Sequence, residues 1–443
     1  MDEEFLYGRQ LPETVISHNL RNAPNIEKRP AVLKRGKYIY CQRCGNKTVR
    51  DEVALPSQRY YCPHCILLGR VATHNLLYSI PEPHHFLKIT SSPLTWQGTL
   101  SKLQAICSSE LLEVAQTGGK HLMWAVTGAG KTEMLFETIA WALQKGRRIA
   151  LASPRVDVCN ELYPRFKQAF NNIDIILLHG KQNEKYRYTQ LVICTTHQLL
   201  RFFRAFDILI IDEVDAFPFV GDKGLAYAAD NALTEKGTLI YLTATPSRKL
   251  LQQIRKKQLT VSYLPLRFHG YLLPEPIIIL DSQLKVFKKK NKLSRKIIKI
   301  IKRWESEGYQ FLIFVPKISL LEPVYQSVKK ILKHDTTGTT VFSGDIQRIK
   351  KVSDMRKLKY RYLITTTILE RGVTFPALNI LILKADDTNF TVSALVQIAG
   401  RVGRSFKRPE GDIYFACSEY SRNVKAAVAQ IKFLNKKGSK VQK

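Results

Sequence analysis

The chain is short of acid. Its 443 residues include 37 Asp and Glu against 69 Lys and Arg, a formal net charge of +32. An excess of that size exceeds what solubility needs. It makes a polyanion the natural partner, bound with salt-sensitive affinity through counterion release. Long apolar runs are also missing. None approaches the about 20 residues of a membrane span, so no spanning helix is expected. The opening residues Met1-Asp-Glu-Glu-Phe5 are acidic where a secretory signal would be apolar. We therefore expect a cytosolic protein, with a peripheral membrane contact left open. There is no long repeat or low-complexity tract, which argues against a solenoid or a largely disordered chain. The length leaves room for two or three domains. Sulfur is sparse, with 8 Cys and 4 Met, and half of the cysteines fall in one short stretch.

That stretch reads Cys41-Gln-Arg-Cys44 and then Cys62-Pro-His-Cys65, two Cys-x-x-Cys knuckles at zinc-ribbon spacing. Four thiolates at the corners of a tetrahedron suit Zn²⁺, and Gly45 eases the turn after the first knuckle. A disulfide pair is the weaker reading in a reducing compartment. His64 lies inside the second knuckle, but four sulfurs already satisfy the ion. Cys107, Cys159, Cys194 and Cys417 are scattered and read as packing thiols. Between the knuckles lie Lys47, Arg50, Arg59, Tyr60 and Tyr61. They suit phosphate and base contact, or equally a cover for the metal.

The stretch on which the rest turns is Ala125-Val-Thr-Gly-Ala-Gly-Lys-Thr132, set between an apolar run and a helix-like run. Strand, glycine loop and helix form the setting of a phosphate-binding loop. Thr127, Gly128, Ala129 and Gly130 would turn backbone N–H groups around an anion. Lys131 would reach the β- and γ-phosphates, and Thr132 would place its hydroxyl on Mg²⁺. The usual first glycine is Ala125 here. Downstream, Phe206–Ile211, apolar apart from Asp207, reads as a buried strand ending in Asp212-Glu-Val-Asp215. Asp212 would hold hydrated Mg²⁺, and Glu213 would orient water for in-line attack. A further strand ends in Thr243-Ala-Thr245. Strands alternating with helices, with polar clusters at strand ends, predict a doubly wound α/β sheet.

From Leu251 to Gln310 there are 14 Lys and Arg against 4 Asp and Glu, with a basic helix expected over 293–307. Its charges are either a solvated face or a nucleic-acid contact. A second alternating unit follows, carrying Arg371-Gly-Val-Thr-Phe-Pro376 and Gln397-Ile-Ala-Gly-Arg401-Val-Gly-Arg404. Spaced by three on a helix, the two arginines would face one way. Residues 421–443 hold seven basic and no acidic residues and are expected to be a solvated tail.

Taken together, the blocks Ala-x-x-Gly-x-Gly-Lys-Thr, Asp-Glu-Val-Asp, Thr-Ala-Thr, Arg-Gly-Val-Thr-Phe-Pro and Gln-x-x-Gly-Arg-x-Gly-Arg resemble superfamily 2 helicases over roughly residues 94–417. The resemblance implies two RecA-like parallel-sheet domains preceded by a small four-cysteine zinc module, with ATP, Mg²⁺ and Zn²⁺ as cofactors. It divides the chain into an arm (1–36), the zinc module (37–75), a first RecA-like domain (90–255), a connection (256–290), a second RecA-like domain (291–420) and a basic tail. It makes Gln97 the adenine reader, has Thr243 and Thr245 couple nucleotide state to strand grip, and gives Gln397, Arg401 and Arg404 the γ-phosphate. Thr374 stands where many members carry Asp.

A four-Cys module before such a motor resembles the late-competence DNA-uptake ATPases of Gram-positive bacteria. That implies single-stranded DNA as substrate, with the competence membrane DNA channel and other late-competence proteins as partners, and leaves oligomers open. Primosomal helicases share the motor but carry their paired cysteines inside it. A zinc-containing DNA-binding scaffold with idle ATPase motifs and an RNA helicase are the alternatives. Finally, Phe217 and Phe219 follow the catalytic pair closely. They either stack on bases and couple DNA to hydrolysis, or cover the sheet edge as core.

Overall fold

The structure, a computed structural model, describes residues 2–180, 184–286, 292–369, 375 and 377–442. By internal contact the chain divides into two units, Met1–Met123 with Lys131–Tyr263, and Trp124–Gly130 with Leu264–Lys443.

The amino-terminal stretch is folded, although it lacks a clear period. Strands β1 (Leu11–Pro12) and β2 (Glu27–Pro30) are followed by β3 (Val32–Arg35), β4 (Tyr38–Cys41) and β5 (Lys47–Val49), which form an antiparallel sheet in that order. A short ladder of β6 (Ala54–Leu55) and β7 (Arg59–Tyr60) follows. Then β8 (Leu76–Ser79) returns between β1 and β2, antiparallel to both. Residues 76–79 are therefore the central strand of the arm. The pairing is long-range, so no local pattern announces it. Leu6, Leu11, Ile16, Leu20, Tyr78 and Ile80 close a small core there.

The chain then enters α1 (Lys102–Thr117), whose first turn is held by a capping box of Ser101 and Gln104. There follow β9 (Gly119–Ala125), α2 (Phe136–Gln144), β10 (Ile149–Ser153), α3 (Val156–Ala169), β11 (Ile175–Leu178), β12 (Leu191–Thr195), β13 (Phe206–Asp212), α4 (Lys223–Ala232), β14 (Leu233–Thr243), α5 (Arg248–Arg255) and β15 (Thr260–Leu264). The sheet order is β11-β12-β10-β13-β14-β9-β15. The pairs β11–β12, β12–β10, β10–β13 and β13–β14 are parallel. Ile208 to Ile211 of β13 are wholly buried, as a central strand covered on both faces requires. Because the neighbours run parallel, with Asp212 beside Leu242, their polar carboxyl ends gather along one edge.

One buried charge ties the arm to this sheet. The Arg148 side chain, just before β10, is fully buried and pairs with Glu82, itself nearly inaccessible. It also donates from Nη1 to the Tyr7 carbonyl at 3.1 Å, from Nε to the Thr189 carbonyl at 3.1 Å and from Nη2 to the Tyr186 hydroxyl at 2.8 Å. Such a charge is tolerable only with its donors satisfied.

The second unit holds β16 (Ile277–Leu280), α6 (Arg295–Ser306), β17 (Gln310–Phe314), α7 (Leu321–Lys329), β18 (Gly338–Val341), α8 (Arg348–Arg356), β19 (Tyr362–Thr365), β20 (Leu378–Leu383), α9 (Val392–Ala399), β21 (Ile413–Cys417) and α10 (Arg422–Gln442). Its sheet order is β16-β21-β20-β17-β19-β18, and every neighbouring pair is parallel. The basic helix α6 buries Ile297, Ile301 and Trp304 while Lys296, Lys299 and Lys302 stay exposed. The expected solvated tail is instead the helix α10. Val424, Ala427, Val428, Ile431 and Leu434 recur at helical spacing and are buried. Charge counting hid that stripe. Among the described residues, no helix is long and apolar enough to cross a membrane.

Replacing Glu82 by Gln leaves the Arg148 guanidinium buried without its counter-charge. The expected loss is about 3–5 kcal/mol, read as a lower denaturant midpoint with unchanged slope. A loss below about 1 kcal/mol would mean that the pair does not anchor the arm.

Candidate active site and metal centre

Within the loop after β9, Gly128 and Gly130 adopt φ of +77° and +72°, a region that glycine enters without a Cβ clash. A Cβ built on Gly128 would meet nothing within 4 Å, so the space beside the backbone there is open. Thr127, Ala129 and Thr132 are buried. Lys131 Nζ lies 3.5 Å from Asp212 Oδ1, which brings the loop lysine to the end of β13. Lys131, Thr132 and Asp212 supply an amine, a hydroxyl and a carboxylate, a donor set that suits a magnesium-bound polyphosphate.

Glu213, the next residue, has φ of +54°, uncommon for a residue with a side chain. Its N–H donates to Asp212 Oδ1 at 2.8 Å, and Arg155 Nε stands 3.8 Å from its Oε2. Arg155 ends the Ser-Pro-Arg segment after β10, and sequence reading gave it no role. Its only signal was a basic residue at a strand's carboxyl end.

The next carboxylate was also missed. Asp215 is buried, and both of its oxygens accept hydroxyl hydrogen bonds, Oδ1 from Thr243 at 2.6 Å and Oδ2 from Thr245. Thr245 N donates in turn to Thr243 Oγ1 at 2.9 Å. The ends of β13 and β14 are thereby joined.

The two phenylalanines divide. Phe219 is 7% exposed and belongs to the core, whereas Phe217 is 82% exposed. Base stacking, expected of either, is available only to Phe217. Gln97 is exposed in the coil before α1. In the second unit, Gln397 and Arg401 are buried, and Arg404 Nε donates to the Gly400 carbonyl at 3.1 Å. The two arginines do not share a helix face as expected. Helix α9 stops at Ala399, and Gly400 begins the turn that carries them. Of the Arg371–Pro376 block only Phe375 is described, and it is buried; Arg371, Thr374 and Pro376 lie outside the described residues.

The four knuckle cysteines converge. Their sulfurs all lie within 4.8 Å of one another, with Cys41 and Cys65 at 3.7 Å and Cys44 and Cys62 at 3.5 Å. Sulfurs about 2.3 Å from a tetrahedral zinc ion are about 3.8 Å apart, so the cluster could hold zinc almost without adjustment. Arg43, buried, donates from Nε to Cys65 Sγ at 3.3 Å and from Nη2 to the Cys65 carbonyl at 2.9 Å. Asn46 Nδ2 donates to Cys44 Sγ at 3.3 Å. Such outer contacts orient ligands. His64 is exposed. The remaining thiols are buried, and burial pushes those of Cys107, Cys159 and Cys417 up to about 12.

The module is not free-standing. Gly45, at φ of +68°, lies flat against the Tyr227 ring of α4, and an added Cβ would sit 2.5 Å from it. The Tyr227 hydroxyl donates to the Gln42 carbonyl at 3.4 Å. Asp222, seven residues after Asp215, caps α4, so the knuckle packs on the helix that follows the Asp212–Asp215 segment.

Two parallel-sheet units bearing these motifs define an ATP-dependent, helicase-like enzyme of superfamily 2. The sequence matches the DEAD/DEAH box helicase family over residues 101–254 and the helicase conserved C-terminal domain over residues 289–406. The competence protein ComFA N-terminal domain matches residues 3–79. Competence protein ComFA of Streptococcus pneumoniae (strain ATCC BAA-255 / R6) is 40% identical over 431 residues, 97% of each chain. That of Bacillus subtilis (strain 168) is 40% identical over 410 residues, 91% of this chain and 87% of that one. The chain belongs to the ComFA family.

Replication restart protein PriA of Rickettsia conorii (strain ATCC VR-613 / Malish 7) is 27% identical over 44% of this chain and 32% of its own. Among solved structures, S. cerevisiae Dbp5 bound to RNA and ADP BeF3 superposes with a TM-score of 0.52 at 16% identity, covering 78% of this chain and 94% of that one. Mycobacterium smegmatis helicase Lhr bound to ssDNA and AMP-PNP gives 0.52 at 15%, covering 79% and 51%. At such identities the likeness is one of fold.

Metal analysis of the purified protein is expected to give one zinc per chain, lowered by Cys41→Ser. Because the knuckle packs on α4, metal loss should also lower the melting temperature. Native protein free of zinc would refute the assignment.

Proposed function

We propose that the protein is a motor that hydrolyses ATP to draw single-stranded DNA into the cytosol during competence. The reading rests on one observation above all. Lys131, Asp212 and Glu213 stand together at the strand edge, and Asp215 joins that edge to Thr243 and Thr245. Membership of the ComFA family and the charge of +32 support the competence role and the polyanionic substrate. A scaffold with idle motifs would have no need of so complete a set. The protein would work in the cytosol, peripherally at the membrane beside the DNA channel and other late-competence proteins.

In this reading the backbone from Thr127 to Thr132 and the Lys131 amine hold the phosphates, and Gln97 reads the adenine. Thr132 and Asp212 hold magnesium, which when bound neutralises phosphate charge. Glu213 orients the attacking water and accepts its proton. Gln397, Arg401 and Arg404 stabilise charge on the γ-phosphate. Thr243 and Thr245 pass the nucleotide state on through Asp215. Phe217, exposed at the loop between Asp215 and α4, is placed to sense a base.

Glu213→Gln should retain ATP and DNA binding and lose turnover by about 10²–10⁴-fold. Near-normal turnover would sink the assignment. Single-stranded DNA should stimulate hydrolysis more than duplex DNA or RNA, and stronger stimulation by RNA would favour an RNA helicase. Phe217→Ala should keep its melting temperature and lose DNA stimulation. Phe219→Ala, a core truncation, should lose about 3–5 kcal/mol of stability instead. Undiminished stimulation in a stable Phe217→Ala protein would remove that residue from the coupling path.

A further inference from the structure

The first unit contains a polar cavity of about 300 Å³ that belongs to none of the motifs above. Three parts of the chain wall it. The arm supplies Arg9, the zinc module supplies Leu67, and the sheet supplies His179 directly after β11, Tyr186, and Gln198 and Arg201 after β12.

Two arginines line this space. Arg9 is 3% exposed, and its Nε has no hydrogen-bond partner. Its Nη1 donates to the Phe5 carbonyl at 3.1 Å. Its plane lies 3.8 Å from the Tyr186 ring centre and 4.5 Å from that of Phe5. Aromatic faces make a buried cation tolerable but do not neutralise it. Arg201 is half-buried, and among the described residues no carboxylate lies within ion-pair distance of it or of Arg9. The contrast with Arg148, which has Glu82, is direct. Glu184 on the rim is paired with Arg187. Burial holds Arg9 down at about 10, with Arg201 and Arg148 adding to the effect, and burial and Arg43 lower Arg201. Like charges gathered around a polar hollow without a counter-ion are arranged for an anion.

We propose that this cavity is a phosphate-binding subsite for a single polynucleotide strand, with Arg9 and Arg201 as its phosphate donors. A phosphodiester matches the guanidinium fork. Leu67 on the rim is 92% exposed and offers an apolar surface to an adjoining base. The lining runs from His179, directly after β11, to Arg9, Tyr186 and Phe202, which cluster beside Arg148 and the start of β13. It gives the zinc module a part in strand binding, since Leu67 follows Cys65 by two residues. The proposal rests on the DNA-motor reading.

The test measures binding of a fluorescently labelled oligothymidylate to the full chain by anisotropy across a salt series. Arg201→Gln is expected to weaken binding roughly tenfold and to flatten the slope of log affinity against log salt by about 0.7, the value of one lost single-strand phosphate contact. Arg9→Gln should act alike. Because Arg9 is buried, its melting temperature and zinc content are checked first, and Arg201→Gln carries the test if Arg9→Gln fails to fold. Lys120→Gln removes the same charge at a remote exposed position and should leave the slope unchanged. An unchanged slope in Arg201→Gln, or an equal change in Lys120→Gln, overturns the subsite. Competition by inorganic phosphate or polyglutamate as strong as by unlabelled oligothymidylate overturns the polynucleotide assignment. Wild-type protein that shows no salt-dependent binding of the oligonucleotide overturns the motor reading itself, a result distinct from failure of Arg201→Gln alone.

Discussion

Asp215 is the joint on which the first unit depends. A buried carboxylate is costly unless its oxygens are occupied, and here both accept hydroxyl donors from Thr243 and Thr245. The cost of breaking this arrangement keeps the ends of β13 and β14 in register. Asp212 and Glu213 lie three and two residues before it, so the same joint sets where those carboxylates stand. A shift in either threonine would reach Asp212 and Glu213 through only a few covalent bonds. In the functional reading above, that is how strand grip and hydrolysis would be linked.

Two unlike contacts, among others, build the amino-terminal region onto this frame. Arg148 gathers Tyr7, Glu82, Tyr186 and Thr189 around one buried cation, so the arm and the sheet share a polar core. The zinc module uses shape instead, the bare face of Gly45 against the ring of Tyr227. Both contacts exclude substitution for simple reasons. A counter-charge is required in the first, and the absence of a Cβ in the second. The module therefore folds against the helix that follows the Asp212–Asp215 segment.

Legibility differed from part to part. The glycine loop and the Asp212–Glu213 pair stood out in the sequence because each is a local string set by one strand end. The knuckle cysteines could be read because chelation fixes their spacing. Alternating apolar strands disclosed both parallel sheets. The central place of Leu76–Ser79 in the arm could not be read, because its partners lie 46 to 67 residues earlier and a short strand has little pattern of its own. The tail was judged by charge, while the spacing of Val424, Ala427, Ile431 and Leu434 made it a packed helix. Arg401 and Arg404 were assigned a helix face, but the helix ends at Ala399.

The sequence by itself determined which side chains are candidates to hold phosphate, magnesium and zinc, and which family of folds could present them. Those properties reside in short contiguous motifs and in apolar periodicity, which depend on neighbours along the chain. Only the tertiary structure decided that Phe219 is core while Phe217 is exposed, that Asp215 serves Thr243 and Thr245, and that Arg9 and Arg201 share a cavity. Burial and counter-charge depend on neighbours in space, and residues far apart in the chain supply them.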